Sequence, residues 1–268
     1  MHIGIDLGGT KIEVVKLDEL LQPIYRKRLA TPKNDYAKTL TTIDNLIKLA
    51  EENSGPAKTI GIGIPGTIIP ATHLVKNANS TCLISKPIKK DLEDLLGRKV
   101  FVANDANCFV MSEYATGAAK NAQSVFGVIL GTGVGGGLIH QGSLINGSNG
   151  IGGEWGHNCL PSPSEEEKTK VRCYCGLDNC IETYLSGPGF SQRFALNTGR
   201  DLSSFAIVEL AHKGDKQAES HLKNYNQQLA KSLAQVINIF DPEVIVLGGG
   251  MSNIDELYSQ VPLYWSQT

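Results

Sequence analysis

His157, Cys173, Cys175 and Cys180 set one imidazole beside three thiols, with the thiols spaced C-x-C-x4-C. Three thiolates and one imidazole suit tetrahedral zinc, and a site whose four positions are all filled by protein has no place for a water, so such a metal orders a loop rather than doing chemistry. Cys159 is a competing ligand two residues from His157, and the plainer alternative is a set of ordinary buried cysteines beside a satisfied histidine. Glu154 and Glu182 flank the cluster. A second chemistry is offered by Asp105, which follows an apolar run and opens a helical pattern. A carboxylate so placed can take the proton of a hydroxyl as that hydroxyl attacks a phosphoryl group. From the pattern alone, a simple N-cap explains Asp105 equally well.

Glycine turns are the third chemical feature. IGIDLGG from Ile3, VILGTGVGGG from Val128 and VIVLGGG from Val244 each place an apolar strand directly before glycines. Glycine lets backbone amides come close to an anion with no side chain in the way, so the three together suggest a nucleotide held from several sides; a tight turn made for packing is the alternative for each. Two nucleotide motifs fail. Gly9 is followed by Thr10 and then Lys11, the reverse of the order a P-loop needs. Gly131, Gly133 and Gly136 match G-x-G-x-x-G, but residues 137–140 continue as a strand where a dinucleotide fold needs a helix.

The elements that must position these groups alternate between strand and helix, which predicts an α/β fold. Strands are expected at 2–7, 11–17, 23–30, 59–64, 99–103 and 243–247. Helices are expected at 35–53, with apolar residues advancing by three and four, near 89–96, from Asp105 to about Ala115, and over 216–240, where Leu222, Tyr225, Leu229, Leu233, Val236 and Phe240 share a face. Residues 117–122 are small and polar enough for a hinge.

At 268 residues and 41% hydrophobic content, the chain can bury a large core without disulfides. Its net charge of −2, with both signs mixed throughout, offers no basic stripe for a phosphate backbone, so nucleic acid is not an expected partner. No run is long and apolar enough to span a bilayer, and MHIGIDLGG is unlike a secretory leader. A cytoplasmic, reducing setting without membrane attachment is the expectation, and it favours metal ligation over disulfides for the clustered cysteines.

DLGGTK at Asp6, GIPG at Gly63, NDAN at Asn104, GTGVGGG at Gly131, GEWGHN at Gly153, CYCGLDNC at Cys173 with Glu182, and GGG at Gly248 occur in an order that resembles the ROK family of sugar kinases, from residue 1 to about 253. The resemblance implies an α/β fold of the actin and hexokinase type, ribonuclease H-like, with two domains around a cleft, taken here as 1–117 and 118–268. It implies that Asp6, Leu7, Gly8, Gly9, Thr10 and Lys11 form a first phosphate loop, Asp6 orienting the magnesium that accompanies ATP. Gly131, Thr132, Gly133, Val134, Gly135, Gly136 and Gly137 match a second phosphate loop, and Gly248, Gly249 and Gly250 the adenosine segment. Gly66, Asn79, Asn104, Asp105, Glu154, His157 and Glu182 match positions that bind sugar hydroxyls, with Asp105 as the catalytic base and His157 serving sugar pocket and zinc at once.

The same resemblance implies ATP and a hexose as partners, and a homodimer. KNANST at Lys76 is similar to the fructokinase and mannokinase branch, so fructose, converted to fructose 6-phosphate, is the expected sugar; N-acetylglucosamine, mannose and glucose are the alternatives within the family. A sugar-responsive repressor is disfavoured because only five residues precede Asp6. Family members continue past GGG with a strand and closing helix, whereas this sequence ends in LYWSQT, so a sugar-binding remnant with little activity is the alternative of another class. Asn179 stands where the family usually has glycine before its last cysteine, and asparagine tolerates positive φ. Chelation of the metal is expected to impair sugar use before nucleotide binding.

Overall fold

The structure, a computed structural model, describes residues 1–52, 55–78, 80–165, 167–168 and 171–265. Alternating apolar residues form the opening meander: β1 (His2–Leu7) buries Ile3, Ile5 and Leu7, and β2 (Lys11–Leu17) buries Ile12 and Val14. β3 (Pro23–Ala30) is the outer, mostly exposed strand. α1 (Tyr36–Glu52) turns Ile43, Leu46, Ile47 and Ala50 into the core, as its spacing predicts. Its C-terminal end is met by a fully buried lysine. Lys16 Nζ donates to the carbonyls of Ala50, at 3.4 Å, and Gly55, so a cation sits at the negative end of the helix dipole.

β4 (Thr59–Ile64), the short antiparallel pair β5 (Thr67–Ile68) and β6 (Val75–Lys76), α2 (Ile88–Leu96) and β7 (Phe101–Asn104) complete the first half of the chain. The sheet runs β3-β2-β1-β4-β7, with β1, β4 and β7 parallel, and the register sets Asp6 beside Gly63 and Gly63 beside Ala103. The carboxyl ends of three parallel strands therefore come out together, the usual place for a ligand in an open α/β sheet.

α3 (Asp105–Thr116) leads to β8 (Ser124–Leu130), β9 (Val134–His140) and β10 (Ser143–Leu144), an antiparallel ribbon joined by β11 (Val244–Gly248), which is parallel to β8. Between β10 and β11 lie α4 (Glu182–Leu185), α5 (Gly187–Thr198), α6 (Ser204–His212) and α7 (Lys216–Phe240), and α8 (Glu256–Trp265) follows β11. α7 buries Leu222, Tyr225, Leu229 and Leu233 on one face, and Tyr225 Oη donates to the Leu185 carbonyl at 2.8 Å. Among the described residues no helix is long and apolar enough to cross a membrane.

The chain divides into two compact units: Met1–Cys108 with Asn146–Ile151, and Phe109–Ile145 with Gly152–Thr268. The division falls inside α3, whose first turn belongs with β7 while Val110 packs in a second-unit cluster with Val125, Ile139 and Val246. Residues 117–122 are a turn, and Ala119 and Ala122 are buried in that cluster. Residues 146–151 return to the first unit, where Asn107 Nδ2 donates to Asn146 Oδ1 at 3.0 Å.

Candidate functional site

In the first unit the site grows from the ends of β1, β4 and β7. The β1–β2 hairpin is closed by Gly8 N–H donating to the Lys11 carbonyl at 3.0 Å, and Thr31 Oγ1 holds the Gly8 carbonyl at 2.7 Å, leaving Gly9 and Thr10 exposed at the tip. Gly66 follows β4 with φ of +83°; a Cβ there would lie 2.5 Å from the Lys76 carbonyl oxygen, so only glycine fits. Its own carbonyl accepts from Asn104 Nδ2 at 3.0 Å.

Asn104 also caps α3. Its Oδ1 accepts from Ala106 N–H at 2.9 Å and Asn107 N–H at 3.3 Å, the pattern of an N-cap. Asp105 is then the first helical residue, and its Oδ1 accepts from Ala106 N–H at 2.8 Å. Although Asp105 is exposed, the protein around its carboxyl raises its pKa above the ordinary aspartate value, and the like charge of Asp6 adds to the rise. Asp6 is raised as well, by burial, with Arg28 acting against it. The surrounding protein first, and then the charges of Asp105 and Asp6, push the Cys108 thiol, one turn along α3, up to about 11. Asn79 lies outside the described residues.

In the second unit the four metal-ligand candidates come together. His157, Cys173, Cys175 and Cys180 bring their donor atoms within 4.8 Å of one another. Cys175 Sγ and Cys180 Sγ are 3.6 Å apart, and Cys173 Sγ is 3.7 Å from His157 Nδ1. A tetrahedral zinc with bonds of about 2.3 Å to sulfur and about 2.0 Å to nitrogen has edges of about 3.8 Å and about 3.5 Å, close to these two separations, so the donor types and spacing suit that ion. Cys159 is outside the group, its thiol turned to the Asp178 carbonyl at 3.9 Å. Asn179 has φ of 58°, and its Oδ1 accepts from Tyr184 Oη at 2.8 Å.

A residue that sequence reasoning passed over lies between two of the candidate ligands, Cys173 and Cys175. Tyr174 Oη is 3.1 Å from His157 Nε2, with the two rings edge to face at 5.3 Å. Its phenol is pushed up to about 12, by burial first and then by the charges of Glu182, Cys173 and Glu154. Its hydroxyl thus touches one residue matched to sugar binding, His157, and its place in CYC was the only local signal.

The glycines of 131–137 divide in two. Residues 131–133 form the turn between β8 and β9, with Gly131 N–H donating to the Gly133 carbonyl at 3.0 Å, while Val134, Gly135, Gly136 and Gly137 lie in β9. There the missing side chains admit a neighbour: Trp155 Nε1 donates to the Gly135 carbonyl at 2.9 Å, and a Cβ on Gly136 would meet the Phe126 and Trp155 rings. That contact seats the 3-10 turn Trp155–His157, which follows Glu154.

A cavity of about 830 Å³ opens in the second unit beside the turn, lined in part by Gly131, Thr132, Gly187, Phe205, His212 and Gly250. This is a size suited to a small organic ligand. Of the expected adenosine segment, Gly250 reaches the cavity together with Met251, whereas Gly248 closes β11 against Phe109. The contributions of α5 and α6 had no local sequence signal.

A model of the ROK family matches residues 2–267. The N-acetyl-D-glucosamine kinase of Pectobacterium carotovorum is 39% identical over 266 residues, covering 98% of this chain and 88% of that protein. Among solved structures, a ROK hexokinase from Thermus thermophilus is 28% identical with a TM-score of 0.86, covering 99% of this chain and 87% of its own. A ROK family glucokinase from Streptomyces griseus, solved in complex with glucose and AMPPNP, is 27% identical with a TM-score of 0.81, covering 98% and 89%.

Proposed function

The chain belongs to the ROK family, with an α/β fold of the actin and hexokinase type, and on that premise we propose that it is an ATP-dependent kinase acting on N-acetylglucosamine. The observation that carries the choice of sugar is the 39% identity, over 98% of the chain, to an N-acetyl-D-glucosamine kinase. The fructose expectation rested on one short match at Lys76 and gives way to a likeness that runs the length of the chain. Glucose is the second reading, favoured by the glucokinase solved with that sugar.

Asp105 takes the proton from a sugar hydroxyl while the hydroxyl oxygen bonds to the γ-phosphorus of ATP and the bond to the ADP oxygen breaks. A carboxylate whose pKa is raised holds a proton better than ordinary aspartate, which suits this task, and the capping role that competed for Asp105 is filled by Asn104. In the first unit Asn104 and Gly66 address sugar hydroxyls, and Asp6 at the end of β1 orients hydrated magnesium with the nucleotide. In the second unit Glu154, His157 and Glu182 address sugar hydroxyls, the turn 131–133 meets the phosphates, and the cavity beside it takes the adenosine. Zinc held by His157, Cys173, Cys175 and Cys180 acts as a crosslink that fixes the loop on which these groups stand.

Calorimetric titration of the purified protein with each sugar, in the presence of MgAMPPNP, tests this reading. N-acetylglucosamine should bind more tightly than glucose, mannose or fructose. Preference for fructose, or no sugar binding in a folded sample, would overturn it.

A further inference from the structure

Glu182 opens α4, two residues after the last thiol of the metal cluster. Its Oε2 accepts a hydrogen bond from Val134 N–H at 2.9 Å. Val134 is the first residue of β9, just past the turn 131–133. A few residues beyond Glu182, Gly187 N–H donates to the Gly131 carbonyl at 2.8 Å. One short segment, 182–187, thus grips the turn at both ends. That segment is seated on the cluster's own backbone, because the Cys180 carbonyl accepts from Thr183 N–H at 2.9 Å and from Thr183 Oγ1 at 2.8 Å. The turn is shaped to receive this carboxylate: a Cβ on Gly133 would come within 2.6 Å of Glu182 Oε2.

We propose that Glu182 is a positioning residue for the phosphate-binding turn, and that through it the metal cluster governs nucleotide affinity as well as the sugar pocket. The proposal rests on the reading of residues 131–133 as a phosphate site. An anion site made of backbone amides binds well only when those amides already converge. A charge-assisted bond to Val134 N–H holds one end of the turn in that arrangement, and the other carboxylate oxygen remains chemically able to accept from a sugar hydroxyl. On this reading chelation, expected to impair sugar use before nucleotide binding, reaches the nucleotide as well, because the segment after the last thiol is bonded to the turn.

The test measures MgADP affinity by calorimetry for the zinc-loaded wild type, Glu182→Ala and Glu182→Gln, each before and after chelation, with circular dichroism to verify folding. Glu182→Ala should weaken MgADP about tenfold, the lower end of what a hydrogen bond to a charged group contributes. Glu182→Gln, whose carboxamide oxygen can still accept from Val134 N–H but without the charge, should restore part of the lost affinity. Chelation should weaken MgADP in the wild type and have little added effect in Glu182→Ala. Wild-type affinity in folded Glu182→Ala, failure of Glu182→Gln to restore binding, or an equal chelation effect in wild type and Glu182→Ala would each overturn the proposal while leaving the kinase reading intact. A wild type that binds no MgADP would overturn the kinase reading, and this inference with it.

Discussion

Asp105→Asn separates the base from the cap more sharply than any other substitution in this chain. The carboxamide keeps the shape of the side chain and an oxygen able to accept from Ala106 N–H, as Asp105 Oδ1 does at 2.8 Å. The cap of α3 is untouched, since it comes from Asn104 Oδ1. What disappears is the ability to take a proton. General-base help is worth about 10²- to 10⁴-fold, so kcat should fall by that factor, about 2.7 to 5.4 kcal/mol of barrier, with sugar affinity little changed. Stability should move the other way. The folded-state pKa of Asp105 is raised by burial and then by Asp6, so between the unfolded and folded values the native state binds more protons. Stability therefore falls as pH rises through that window, and the penalty persists at neutral pH. Removing the charge should raise the melting temperature at pH 7, and the gain should shrink once the pH drops below the usual carboxylate range. Cys108 offers an independent readout, because the Asp105 charge is one cause of its elevated pKa; alkylation at a given pH should quicken in the variant. Coupled ADP-release kinetics, sugar calorimetry and thermal melts across pH supply the three measurements. A variant that keeps kcat within tenfold of wild type, or that loses kcat only in step with a lowered melting temperature, would refute the reasoning.

Three other outcomes are expected. Gly66→Ala should lower stability by at least about 1–3 kcal/mol and abolish turnover, since φ is +83° and backbone stands where the methyl must go; a melt equal to wild type would contradict this. Elemental analysis of protein purified under reducing conditions should find one zinc per chain, with chelation or Cys180→Ser lowering the melting temperature; a metal-free protein with an unchanged melt would remove the crosslink role. Arg193 is buried, lies 3.3 Å above the Tyr184 ring, and donates to the Thr183 carbonyl at 2.8 Å and the Glu167 carbonyl at 3.1 Å. The Glu167 carbonyl keeps the Tyr184 hydroxyl as a donor at 2.8 Å, so Arg193→Met should cost about 1–3 kcal/mol in denaturant melts through the Thr183 carbonyl, and a loss under about 0.5 kcal/mol would show that water takes its place.

Sequence legibility followed the range of the interactions. β1, β2 and β4 stand where alternating apolar residues bounded by glycine and proline place them, β3 occupies the expected 23–30, and the apolar stripe of α7 marked its length and the face that buries Leu222, Tyr225, Leu229 and Leu233. The clustering of His157 with the three thiols was readable because those thiols lie within one short stretch. α5 was not readable: it opens with Gly187, Pro188 and Gly189, a loop-like composition, yet Ser186 Oγ accepts from Gly189 N–H at 3.1 Å and proline suits the first turn of a helix. α6 reads as SFAIVELAH, where the apolar run continues past the buried Ile207 and Ala211 to leave Phe205 exposed beside the cavity. The cavity wall was therefore hidden, although the turn at Gly131 and Thr132 was seen. The bond between Glu182 and Val134 joins residues 48 apart in sequence and has no local signature. Tyr174 was hidden for a different reason: between two cysteines it reads as a spacer, and its role depends on where His157 turns its second nitrogen.

The central claim is most directly tested by incubating the purified protein with MgATP and N-acetylglucosamine and following ADP and phosphorylated sugar together, with fructose, mannose and glucose in parallel. Equimolar ADP and N-acetylglucosamine phosphate, formed with a higher kcat/KM than for the other sugars and lost in Asp105→Asn, is the predicted result. Failure of a folded, zinc-loaded sample to phosphorylate N-acetylglucosamine, or a clear preference for fructose, would contradict the account.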